Sequence, residues 1–177
     1  MSARPSDTEL GHLIGLLLKL GRLVTQQIRD ALEALRESKG ALARMVLRRE
    51  DWVDALELEA HDRIVDLLLK RQPVGLELRA MLALGNSVRD LERMGNEAES
   101  IARAALEAQA RTLGVQPPRE LSSDVEATAA LVIEIVEGGL FAIAQLDLDE
   151  AAASVHDDAG LKGTLPVDTA ALADVQP

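Results

Sequence analysis

The chain has 177 residues, 47% of them hydrophobic, and a formal net charge of −11. That length holds one sizeable domain or two small helical bundles. The negative charge argues against nucleic acid as a partner, because phosphate backbones are held by basic surfaces, and the absence of cysteine removes disulfides, thiolate metal sites and cysteine nucleophiles.

Only Trp52 and Phe141 are aromatic. A core without aromatics is built from Leu, Ile, Val, Ala and Met, which suits helices packed at short distance better than a sheet. The N-terminus has no signal-peptide hydrophobic run, and no stretch of 18 uninterrupted apolar residues occurs. The expectation is a cytoplasmic chain with no direct membrane insertion. The acidity fits solubility, metal ligands or a basic protein partner.

The first helix is expected to begin at a capping box, Ser6 with Glu9. Apolar or small residues follow at Leu10, Ile14, Leu17, Gly21, Val24, Ile28, Ala31 and Leu35. Steps of four and three make the seam of a packed bundle. Ser38, Lys39 and Gly40 form a short turn, so the second helix runs back antiparallel over about 41–72. Its seam is Val53, Leu56, Ala60, Ile64 and Leu67, and Pro73 ends it.

A third helix is expected over about 75–112, with Leu84, Val88, Leu91, Gly95, Ala98, Ala102 and Ala105 on its seam. Residues 6–112 thus make an antiparallel three-helix bundle, and the fold class is all-α. Pro117 and Pro118 mark a linker over 113–122. A second capping box, Ser123 with Glu126, opens a fourth helix over about 124–146, and a short fifth is expected over 148–158. Residues 159–177, rich in small residues with Gly160, Gly163, Pro166 and Pro177, are expected to be weakly ordered. A faint repeat at an offset of 108 pairs Leu32 with Leu140 and Leu35 with Ile143, so 123–158 reads as a partial second repeat.

Two polar stripes run beside the seams. One is Asp54, Glu57 and His61; the other is Glu92, Asn96 and Glu99. Spacings of three and four put each set on one helix face. Carboxylates, imidazole and amide oxygen together can hold a hard or borderline divalent metal. The same pattern also describes a solvated ion-pair rim, with Arg63, Arg89 and Arg93 close by in sequence. Glu9 and His12 form a single Glu-x-x-His, and a carboxylate di-iron bundle needs two. His156 lies beside Asp157 and Asp158 and reads as exposed. There is no nucleophile elbow, phosphate-cradling glycine loop or His-Glu-x-x-His, so no catalytic residues are assigned and no enzyme is expected.

The stretches VLRREDWVDALELEAHDRIVDLLLKRQPVGLELRAM (46–81) and VRDLERMGNEAESIARAALE (88–107) resemble the first repeat of the PhoU family. The family's Gln-Pro helix break and following Leu-Arg pair are matched by Arg71-Gln72-Pro73 and Leu78-Arg79. Its Asp-Leu-Glu-Arg-Ile-Gly-Asp signature is matched by residues 90–96. The resemblance implies two similar three-helix bundles in tandem, often dimeric. It implies action with a phosphate-specific ABC transporter and a membrane sensor histidine kinase, repressing the phosphate-starvation response.

The resemblance also implies iron or zinc at paired acidic motifs. These map to Glu57 with His61 and to Glu92 with Asn96, with Asp54 and Glu99 as further ligands. His61 and Asn96 stand where the family has Asp, which removes two negative charges and leaves at most a single, weaker site. The second repeat is incomplete, of about two helices. Its Leu131, Ile135, Leu140 and Phe141 would stay partly exposed, so a homodimer is expected to cover them. Two other readings stay open: a metal-binding bundle, and a degenerate family paralogue with a different partner.

Overall fold

The structure of the chain is a computed structural model, described over residues 5–112 and 119–145, with side chains over 9–111 and 123–145. Four helices occupy these residues: α1 (Pro5–Glu37), α2 (Gly40–Arg71), α3 (Gly75–Thr112) and α4 (Arg119–Ala144). The described residues form helices joined by short connections, with no strand among them, so the fold is all-α. The expected fifth helix at 148–158, His156, the tail at 159–177 and most of the linker lie outside them.

The helices α1, α2 and α3 each pack against the other two. Every seam residue expected of α2 and α3 is buried. On α1, Leu10, Leu17, Gly21, Val24, Ile28 and Ala31 are buried as expected, but Ile14 and Leu35 are only half-buried. Leu13, Leu20 and Ala34 are buried beside them. The cause is that α1 contacts three helices rather than two, so its buried arc is wider than a two-track seam. Fully burying each Leu there contributes about 1.5–3 kcal/mol.

Helix ends follow backbone chemistry more than the expected boxes. Helix α1 starts at Pro5, whose fixed φ suits a first turn, so Ser6 lies inside the helix rather than capping it. Its other end is closed by Ser38 at φ 52, with the Lys39 N–H donating to the Ala34 carbonyl at 3.0 Å. The Gln109 side chain of α3 donates to the Ser38 carbonyl at 3.0 Å, tying this turn to the bundle. Gln72, at φ 49, closes α2 in the same left-handed conformation, its N–H on the Leu68 carbonyl, and Pro73 prevents continuation.

A β-carbon is strained at such positions, and glycine relieves it. Ser38→Gly is therefore expected to stabilise the chain by about 1 kcal/mol. Urea denaturation followed by circular dichroism measures this; an unchanged or lower midpoint contradicts it.

Helix α4 begins at Arg119, inside the expected linker. Ser123 and Glu126 are thus interior helix residues and not a capping box. Instead Glu126 pairs with Arg36 at 3.4 Å and Glu137 with Arg29 at 2.7 Å, which lays α4 antiparallel along α1. Ile133 and Leu140 are buried beneath it, while Leu131, Ile135 and Phe141 remain exposed. The sequence predicts partial exposure for Leu140 as well; it is buried because its side chain lies directly over Gly21 of α1.

Residues Ser123–Ala144 are long and apolar enough to cross a membrane by length and composition, although no run of 18 uninterrupted apolar residues occurs. The segment also carries Asp124, Glu126, Glu134 and Glu137, each costly to place in hydrocarbon. Two of the four, Glu126 and Glu137, are tied to arginines of α1. We therefore read it as a bundle helix. On α2, Trp52 is 63% exposed, in a groove with Lys19, Leu23 and Leu56.

Candidate functional site

The α2 seam continues toward its N-terminus through Ala43, Val46 and Glu50, so a carboxyl occupies a core position. Glu50 is only 8% exposed and sits among all three bundle helices. From α1, Gln27 Nε2 donates to Glu50 Oε2 at 3.2 Å and to the Val46 carbonyl at 3.4 Å. From α3, Gly95 leaves room for the carboxyl: a β-carbon there would lie 3.4 Å from Glu50 Oε1 and 3.1 Å from a Val53 methyl. The Gly95 of the 90–96 signature thus makes space for this carboxyl.

Glu50 Oε1 and Gln27 Oε1 are both buried without a hydrogen-bond partner. Burial pushes the Glu50 carboxyl above the usual carboxylate range. The Gln27 hydrogen bond opposes the rise, and the negative fields of Glu99, Asp54 and Glu92 add to it. A proton on Glu50 adds a donor to a pair that carries two unpartnered acceptor oxygens. The neighbouring buried acid, Asp30, is satisfied differently, by Arg49 at 2.5 Å and by Gln26 at 2.8 Å.

The expected stripes do lie on the α2–α3 face. Asp54, Glu92 and Glu99 are close enough to act on Glu50 through space. Glu57 and His61 pair with each other instead, Nδ1 to Oε1 at 2.9 Å. Asn96 donates to Glu92 at 2.5 Å, and Glu99 pairs with Arg103 at 2.5 Å. Of the nearby arginines, Arg89 is held by Asn86. Among the described residues, no three of His, Cys, Asp or Glu converge closely enough to hold a metal ion. In this arrangement the residues do not form a coordination set for iron or zinc: the Glu57–His61, Glu92–Asn96 and Glu99–Arg103 pairs each close along one helix.

Sequence reasoning passed over Glu50 because it sought polar residues beside the seam. The signal was available: counting back three residues from Val53 lands on Glu50. Gln27, between Val24 and Ala31 on the buried arc of α1, could be found in the same way.

A family model described as the PhoU domain matches residues 17–105, half of the chain. The chain belongs to the PhoU family. A Burkholderia phosphate-specific transport system accessory protein PhoU homolog is 31% identical over 152 residues, covering 86% of this PhoU-family chain and 64% of that relative. The Escherichia coli accessory protein PhoU is 28% identical over the same number of residues, with 61% of it covered. The crystal structure of PhoU from Pseudomonas aeruginosa superposes with a TM-score of 0.72 at 32% identity, covering 86% of this chain and 71% of that one. The chain thus spans about three fifths of the length of these curated relatives.

Proposed function

We propose that this chain is a non-enzymatic adaptor that lowers phosphate uptake and represses the phosphate-starvation response. It would do so through contacts with a phosphate-specific ABC transporter and a sensor histidine kinase. The observation that carries this reading is the fold likeness to the Pseudomonas aeruginosa PhoU crystal structure over 86% of the chain. Several relatives are named as accessory proteins of the phosphate-specific transport system, which supports placing this chain beside such a transporter. It would act on the cytoplasmic side of the inner membrane, held there by protein partners. The exposed ridge of Leu131, Ile135 and Phe141 on α4 is the surface a homodimer would cover. Light scattering at micromolar concentration tests that, and a stable monomer sinks it.

Deletion of the gene in its source organism tests the phosphate role. Phosphate uptake and alkaline phosphatase are expected to rise in phosphate-rich medium. Unchanged levels of both refute the role, leaving a degenerate paralogue with a different partner.

Metal binding on the α2–α3 face is a second reading, favoured by the partnerless Glu50 oxygen near Asp54, Glu92 and Glu99. It requires the Glu57–His61 and Glu92–Asn96 pairs to open. On that reading, purified protein incubated with iron or zinc and desalted keeps a stoichiometric amount, and Glu57→Ala or Glu92→Ala loses it. Metal-free protein after that treatment contradicts it.

A further inference from the structure

Between α3 and α4, above α1, runs an open apolar groove of about 420 Å³. It exists because α4 packs on α1 without comparable packing against α3. Ile28 and Leu32 of α1 form its floor. Met94 and Ile101 form the α3 wall, and Val125 and Val132 the α4 wall. Thr128 also lines it, but its hydroxyl is spent on the Asp124 carbonyl at 2.9 Å. With the Thr128 donor taken, the interior is otherwise apolar, and apolar side chains suit it best.

The rim is different. Glu97 stands on the α3 edge and Asp124 on the α4 edge, both exposed. Neither carboxylate has an ion-pair or hydrogen-bond partner among the described residues. The α3 wall from Met94 to Ile101 is two helical turns, roughly 10 Å long. That length accepts two apolar side chains spaced three or four residues apart on an incoming helix. The two acids on opposite rims would then meet the flanks of that helix.

We infer that this groove docks an amphipathic helix of another protein, with an apolar stripe flanked by Lys or Arg. Charge complementarity decides between occupants. The chain's own residues 146–177 hold seven acids, Asp147, Asp149, Glu150, Asp157, Asp158, Asp168 and Asp174, against the lone Lys162. A second copy brings the same formal charge of −11. The tail would set acids against the rim and a second copy would approach against its net negative charge, whereas a basic helix is attracted to it. The outer ridge of Leu131 and Ile135 lies on a different side of α4, since successive residues turn by about 100°. The inference concerns how a partner is held and stands whether or not that partner belongs to phosphate signalling. The gene-deletion result and the binding result therefore fail separately.

The test is selection of helix-patterned peptides on the full chain. The library fixes Leu at positions i, i+3, i+4 and i+7 and randomises the flanks, with the Val125→Arg chain as counter-target. Enrichment of Lys and Arg in the flanks is expected. The best peptide should bind Glu97→Lys/Asp124→Lys at least about tenfold more weakly, and should weaken with added salt. Circular dichroism and thermal melting check that both variants are folded. Acidic or neutral flanks, no enrichment over Val125→Arg, or unchanged affinity in the charge-reversed variant overturns the inference. So does self-association abolished by Val125→Arg, which gives the groove to a second copy. Val125-dependent binding to neutral phosphatidylcholine vesicles gives it to lipid and overturns it equally.

Discussion

Glu50→Gln is expected to raise stability at neutral pH and to flatten its pH dependence. The folded-state pKa of Glu50 is raised, so the native chain holds this proton more tightly than the unfolded chain does. The sign follows from linkage: the contribution is fully present below the ordinary value of about 4.5 and is lost as pH rises through the folded-state value. Above that, folding must bury a carboxylate whose Oε1 has no partner, at a cost of roughly 1–3 kcal/mol. Gln at this position keeps the shape and supplies donors without the charge. Urea denaturation of both chains between about pH 5 and 8 should show the variant gaining steadily on the parent. A variant less stable than the parent at pH 8 would mean that the carboxylate is ionised and satisfied by a cation.

Gly21→Val is expected to release α4 from α1. A β-carbon at Gly21 would overlap the Leu140 side chain, and valine adds two methyl groups beyond it. Other ties include Ile133 and the two exposed ion pairs, each pair worth about 0–1 kcal/mol. Losing the Leu140 contact should cost about 3 kcal/mol, and protease cleavage within α4 should quicken markedly. Adding Leu140→Ala restores room and should recover part of both effects. Two losses that simply add would show that Gly21 and Leu140 do not oppose each other.

The particulars show where sequence was informative. The seams of α2 and α3 were legible because each helix buries one narrow face, and three-and-four spacing reports a narrow face directly. The wider arc of α1 was not, because a third contact helix changes which residues are covered without changing their spacing. The caps at Ser6 and Ser123 were misplaced because a serine with a glutamate three residues on also occurs inside helices. At the site, spacing correctly put Asp54, Glu57 and His61 on one face. It could not show that Glu57 and His61 satisfy each other, since the separation that lets two side chains share a ligand also lets them bond together. Glu50 was missed because a charged residue on a seam was not weighed as core.

Trp52 gives the chain an optical property of its own. It is the sole indole and faces solvent from the α1–α2 groove. Its emission in the native state should already resemble that of a hydrated indole, so unfolding will scarcely move the peak. A protein that settles over Lys19 and Leu23 will instead shift the peak to the blue. Intrinsic fluorescence is thus a poor thermometer of this bundle and a selective alarm for contact on the α1–α2 face.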